Sequence, residues 1–256
     1  MTRDDITGAG GAGADAPAGP ARRERLRANL AALRERVAAA CAAAGRPPEE
    51  VSVIAVTKTF PASDVRALAE LGVTDVGENR DQEAAAKAAA CADLPLRWHF
   101  VGQLQTNKAR SVARYAHLVH SVDRERLVRA LGARARAEGR EVGCLVQVNL
   151  DPDSAAGVLG PRGGADPGDV LAVADAIAGE EGLLLEGVMA VAPREGDPDA
   201  AFARLYAVAE RVRDRYAQAR TISAGMSGDL EAAVRQGATH LRVGTALLDD
   251  RNPNVG

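Results

Sequence analysis

The sequence predicts a single (β/α)8 TIM barrel, an α/β fold, preceded by one extra N-terminal helix. Three observations lead there. The chain has 256 residues, close to the ~250 typical of one such barrel. Short β-branched runs alternate with helical periodicity eight times along it, which implies right-handed βαβ units and a parallel sheet. Eight repeats suit a closed barrel better than an open doubly wound sheet, and no G-x-G-x-x-G follows the first strand to suggest the open alternative.

Residues 1 to about 20 are Gly, Ala, Asp and Pro with almost no large apolar side chain. Such a stretch cannot bury enough surface to offset its ordering entropy, so it reads as a disordered tail ahead of a barrel domain over 21–256. Leu26, Leu30, Leu33 and Val37 then recur at helical spacing, giving a first helix to about Ala44, closed by Gly45 and Pro47. Val51–Thr57 is the first strand, and a helix over 63–71 is capped by Ser63. Strands follow at 73–76, 97–101, 117–120 and 144–149, with helices at 79–91, 106–114 and 124–138 between them. A Gly/Pro/Asp-rich loop occupies 151–168, followed by a helix to about 179. Strands at 183–188, 220–223 and 239–243 alternate with helices at 197–217 and 228–236, and a short helix follows Gly244.

Composition narrows the function. A net charge of -3 with no basic block argues against nucleic acid as the main partner. No apolar run approaches the ~18 residues of a membrane span, and no basic segment followed by an apolar core marks a secretory signal. Cys41, Cys91 and Cys144 are scattered, with no CxxC pair or His/Cys cluster. This suggests a reducing, cytoplasmic compartment and no structural metal. Of 32 basic residues only three are Lys: Lys58, Lys87 and Lys108. Arg replaces Lys on a solvated surface but not as a nucleophilic amine, so each of these merits inspection.

Active sites of such barrels lie at the C-terminal ends of the strands. Lys58 stands directly after the first strand, where an amine can attack an aldehyde, although a solvated strand cap is the alternative. Barrels commonly hold phosphate in the loops after strands 7 and 8. Those loops here are Ser223-Ala224-Gly225-Met226-Ser227-Gly228-Asp229 and Arg242-Val243-Gly244-Thr245. Small residues let backbone N–H groups approach an anion, and hydroxyls can donate to it. Strand 8 adjoins strand 1 in a closed barrel, so this phosphate site and Lys58 are neighbours at about the span of a pyridoxal ring. Arg242 either faces a pyridine nitrogen, keeping it unprotonated, or pairs with a carboxylate such as Glu78.

At this point the chain resembles a known family, the pyridoxal-5'-phosphate (PLP) homeostasis proteins, related to the barrel domain of bacterial alanine racemases. The matching segments are Ala55–Pro61, Gly77–Arg80, Trp98–Gly102 with Leu104–Lys108, His120–Asp123, Val148-Asn149, Gly187–Ala190, Gly225–Ser227 and Arg242–Thr245. They run in order over roughly residues 21–251 and are specific as a set. The resemblance implies PLP as cofactor and Lys58 as its Schiff-base lysine. It implies Asn79 near the ring, with His99 and Asn149 lining the cavity; a satisfied core histidine is the alternative for His99. It further implies Ser223, Ser227, Gly244 and Thr245 as the phosphate cradle and Arg242 beside the ring nitrogen. The sequence departs from the family pattern at Ala224, Gly228, Gln103 and Asp249-Asp250. It also has Ser154–Gly157 where a second PLP-contacting Lys is common, which puts a second PLP site in question.

The resemblance leaves carrier and enzyme to be separated. Related racemases use Lys on one face of the cofactor and, on the other, a Tyr supplied by a second β domain. The chain is expected to lack room for that domain, and Tyr115, Tyr206 and Tyr216 fall within or beside outer helices. The favoured reading is a monomeric PLP carrier with little or no turnover, serving PLP-dependent apo-enzymes. A weak amino-acid racemase is the first alternative, and a Schiff-base aldolase without PLP the second.

Overall fold

The computed structural model describes residues 17–151, 163–193 and 195–249. Eight parallel strands close in chain order, the last pairing with the first. They are β1 (Ser52–Val56), β2 (Asp75–Glu78), β3 (Arg97–Phe100), β4 (Leu118–Val122), β5 (Val142–Gln147), β6 (Leu183–Met189), β7 (Thr221–Ser223) and β8 (His240–Val243). Helix α1 (Pro20–Ala43) precedes them. The outer ring is α2 (Ala62–Glu70), α3 (Asp81–Ala90), α4 (Ala109–Tyr115), α5 (Glu125–Ala137), α6 (Val170–Ala178), α7 (Pro198–Arg215), α8 (Leu230–Arg235) and α9 (Thr245–Leu248).

Alternation along the strands sorts two environments. Ala55, Val76, Trp98, Phe100, Cys144, Val146, Ile222, Leu241 and Val243 join one apolar layer with the inner faces of the helices. Inside the barrel, Leu118, Leu145 and Met189 form a separate small apolar cluster. Buried polar groups share that interior: His99, His120, Ser223 and Arg242. Each sits between outward apolar neighbours or beside one, as in β8, where Leu241 and Val243 flank Arg242.

Helix α1 buries Leu26, Leu30, Leu33 and Val37 at the predicted spacing. It lies across α8 and α9 at the seam between β8 and β1. Its polar side chains tie down the loops there. Arg36 donates to the Ser227 carbonyl at 2.8 Å, Asn29 to that of Leu247 at 3.1 Å and Arg22 to that of Leu248 at 2.9 Å. The α9 carbonyls, which no further helical turn can satisfy, thus find donors in α1.

Several expected boundaries shift by one or two residues. Strand β2 begins at Asp75 rather than residue 73, because Val73 is buried without joining the ladder. Its apolar character alone mimicked a strand start. Strand β5 is likewise two residues earlier, leaving Val148 in an isolated bridge to Ala165. Gly143 weakens the strand signal there; it packs against the side chains of Glu186 and Leu118, the carboxylate of Glu186 2.2 Å from where its Cβ would stand. Ser63 does not cap α2: the helix starts at Ala62 with Pro61 at its N-cap. Of the expected tail, residues 1–16 lie outside the described residues, and Pro20 already opens α1. Most of the expected 151–168 loop lies outside them too.

Candidate functional site

Lys58 leaves the C-terminal end of β1 with an exposed side chain. The backbone on either side of it is held by a buried ionic cluster. Lys87 Nζ, on α3, lies 2.7 Å from Glu78 Oε1 and 2.6 Å from Glu83 Oε1, and donates to the Thr57 carbonyl at 2.6 Å. Thr57 Oγ1 donates to the same Glu78 oxygen at 2.6 Å. Thr59 takes a left-handed φ of 69° and its N–H bonds Glu83 Oε1 at 2.5 Å. A left-handed threonine is costly, so the contacts that hold it fix the turn in which Lys58 stands. Burial pushes the Glu78 carboxyl up, against the hydrogen bonds from Lys87 and Thr57.

The loops after β7 and β8 meet beside this turn. Ser227 Oγ accepts from the Ala246 N–H at 3.2 Å, joining one loop to the start of α9. Gly225 has φ 88°, and a Cβ there would lie 2.6 Å from that of Ala233. A Cβ on Gly244 would meet the Val56 carbonyl at 3.2 Å, so the exit of β8 packs closely on the exit of β1. Thr245 is exposed. Ser227, Gly244 and Thr245 therefore come together next to the strand that precedes Lys58.

Ser223 stands apart from them. It is fully buried, accepts from Arg242 Nη1 at 2.6 Å and lies 2.9 Å from His120 Nδ1, so its hydroxyl is engaged inside the barrel. Arg242 also donates to the Ala190 carbonyl at 2.8 Å. The alternative pairing with Glu78 does not form, since Glu78 turns to Lys87. Arg242 has no carboxylate within salt-bridge distance among the described residues, and burial lowers its guanidinium to about 10. His99 is fully buried, with Nε2 2.8 Å from Asp75 Oδ1 and Nδ1 3.0 Å from His120 Nε2, which is the core-histidine alternative. Burial lowers the basicity of His99 and His120. Asn79 Oδ1 is buried without a hydrogen-bond partner, immediately past β2. Asn149 Oδ1 accepts from the Asp151 N–H at 3.0 Å, closing a local turn.

Three residues of this neighbourhood escaped the sequence reading. The scarcity of lysine drew attention to Lys87, and its i,i+4 spacing from Glu83 was visible, but not its partnership with Glu78. Asp75 carries no local signal, and His120 stands only within the His120–Asp123 match with no role attached; barrel closure brings both to His99.

The alanine racemase N-terminal domain family matches residues 28–251. A pyridoxal phosphate homeostasis protein of Mycobacterium bovis is 47% identical, covering 93% of this chain and 97% of its own length. The chain belongs to the pyridoxal phosphate homeostasis protein family. Among solved structures, an unknown protein from Bifidobacterium adolescentis superimposes with a TM-score of 0.83 at 29% identity, covering 91% of this chain and 98% of its own. PipY of Synechococcus elongatus, solved with PLP bound, superimposes with a TM-score of 0.75 at 35% identity. That match covers 87% of this chain and 99% of PipY.

Proposed function

We propose that this member of the family binds PLP as a carrier or reservoir in PLP homeostasis, with little or no turnover. The observation that carries the reading is a juxtaposition. An exposed lysine at the exit of β1 adjoins the paired Gly/Ser/Thr loops after β7 and β8, above a buried arginine with no carboxylate at salt-bridge distance among the described residues. The donor set fits the cofactor. PLP brings a reactive aldehyde, a ring that can accept electrons and a phosphate dianion. Lys58 is the covalent attachment point. Ser227, Thr245 and the backbone at Gly244 receive the phosphate, and Asn79, with its unpartnered buried oxygen, stands near the ring. Arg242 approaches the ring nitrogen as a donor that stays protonated near neutral pH, which leaves the ring a poorer electron sink. Ser223 acts on the cofactor through Arg242 rather than on the phosphate.

The placement of the tyrosines favours carriage over racemisation. Tyr216 bonds Asp175 at 2.7 Å, beside the outer helices. Tyr206 lies on α7 against Gly237. Tyr115 ends α4, its hydroxyl buried without a hydrogen-bond partner. We therefore assign none of the three the role of a second proton donor or acceptor opposite Lys58. A monomer is the proposed state. The three buried, unpaired thiols suit the cytoplasm. PLP-dependent apo-enzymes are the proposed recipients. The test is to load the full chain with PLP, then follow transfer to an apo-enzyme and solvent deuterium incorporation into alanine enantiomers. Transfer without incorporation supports the carrier; rapid incorporation at the rate of a dedicated racemase overturns it.

A further inference from the structure

A file of hydrogen bonds crosses the barrel interior below the site. It starts at Arg242 in β8 and passes Ser223 in β7, His120 in β4 and His99 in β3 before ending on Asp75 at the start of β2. The four links measure 2.6, 2.9, 3.0 and 2.8 Å. Their direction follows from donor chemistry. A guanidinium only donates and a carboxylate only accepts. Asp75 is a carboxylate near neutral pH: burial raises its carboxyl, but hydrogen bonds from His99 and Thr74 outweigh that and bring it to about 2. His99 therefore presents Nε2–H to Asp75, and a neutral ring then has a bare Nδ1. His120 must donate Nε2–H to that nitrogen, which leaves its own Nδ1 bare for the Ser223 hydroxyl. Ser223, having given its proton to His120, accepts from Arg242. The reverse arrangement sets a bare histidine nitrogen against the carboxylate, and charging either ring takes away the His120 acceptor of the Ser223 proton or sets two N–H groups head to head. Burial of both rings disfavours the charged forms.

We infer that Asp75, His99 and His120 are positioning residues for Arg242, and that Asp75 fixes the direction of this single-polarity chain. The two charges sit at opposite ends of aligned dipoles, so each link strengthens the next. Asp75 is itself secured: Thr74 Oγ1 donates to its other oxygen at 2.7 Å, and Arg97 Nε stands 3.6 Å from Oδ1. His240 lies beside the file, its ring 6.4 Å from that of His99, but its Nδ1 turns to Thr239 Oγ1 at 2.9 Å. The consequence is that a carboxylate at the N-terminal end of β2, remote from Lys58, tunes the donor that faces the cofactor ring. This rests on the proposed place of Arg242 beside that ring.

The chain has four histidines, so two-bond proton–nitrogen NMR on the labelled full chain without PLP resolves each tautomer. His99 and His120 are expected to be neutral and protonated on Nε2 at pH 7. Asp75→Asn keeps the shape but lets residue 75 donate as well as accept, and both rings should then become tautomer mixtures. PLP affinity of that variant should fall about twofold to thirtyfold, the range seen for residues along a coupled network, while the cofactor remains attached to Lys58. An Nδ1–H tautomer or an imidazolium in the wild type overturns the inference. So does Asp75→Asn disturbing His99 alone, or leaving PLP affinity unchanged. Failure of the wild type to take up PLP would refute the functional reading instead, with the tautomers still deciding whether the chain exists.

Discussion

Replacing Lys87 with methionine isolates the ionic cluster beneath Lys58. Lys87 is 6% exposed and Glu78 fully buried, so salt screens their interaction little. Methionine roughly keeps the volume of the lysine stem but removes three contacts: with Glu78, with Glu83 and with the Thr57 carbonyl. Glu78 Oε2 already lacks a partner, so the remaining carboxyl keeps only Thr57 Oγ1 and must be buried charged or take up a proton. Removing one member of a buried pair costs about 3–5 kcal/mol. At roughly 2–4 °C per kcal/mol for a domain of this size, Tm should fall by about 6–20 °C. The double variant Lys87→Met, Glu78→Gln removes the orphaned charge while leaving an acceptor for Thr57, and should recover at least half of the loss. Urea unfolding of the two single variants and the double variant gives the coupling directly. A loss below about 1 kcal/mol in the single variant, or a double variant no more stable than Lys87→Met, would show that the cluster is not what holds this turn.

Two further outcomes follow from the same geometry. Ser227→Ala should weaken PLP roughly tenfold to a hundredfold, since a hydrogen bond to a charged group is worth about 1.5–3 kcal/mol, without altering the spectrum of bound PLP. Thr245→Ala should cost less if the backbone N–H is its main contribution; equal affinities for Ser227→Ala and the wild type in PLP titrations would remove Ser227 from the cradle. The acid limb of stability should be set by buried histidine. Burial, with His99 nearby, lowers His240 from 6.5 to about 4. The unfolded chain therefore binds the proton first, and this contribution is complete above pH 6.5 and lost as pH falls toward 4. Its size is up to about 3 kcal/mol, with His99 and His120 acting in the same direction. Asp75, lowered to about 2, adds a separate loss only between its ordinary range and that value. Thermal unfolding from pH 7 to 4.5 should show a falling Tm whose slope is reduced in His240→Gln; a level profile in the wild type would contradict the burial argument.

Most of the barrel was legible because its signals are local. Eight short apolar runs separated by helical periodicity specify parallel βα units regardless of how they later close. Gly225 and Gly244 were legible as loop chemistry because turns and close approaches select glycine over short distances. Strand β2 was misplaced by two residues because an apolar side chain on a turn, Val73, looks the same in sequence as one on a ladder. Ser223 and Ser227 stand four residues apart and look equivalent on paper. One ends a strand facing inward and bonds Arg242; the other lies in the loop and bonds the Ala246 N–H. The partnership of Lys87 with Glu78, and the file from Arg242 to Asp75, depend on side chains that meet across the barrel. Their separations in sequence carry no periodicity, so only the closed structure reveals them.

The central claim is that Lys58 holds the cofactor while the neighbouring loops hold its phosphate. The most direct test is to incubate the full chain with PLP, reduce it with borohydride and map the modified peptide by mass spectrometry. With three lysines in the chain, the assignment is unambiguous. A pyridoxyl adduct on Lys58, absent in Lys58→Ala although noncovalent PLP binding remains measurable, is the predicted result. An adduct confined to Lys87 or Lys108, or none at saturating PLP, would contradict it.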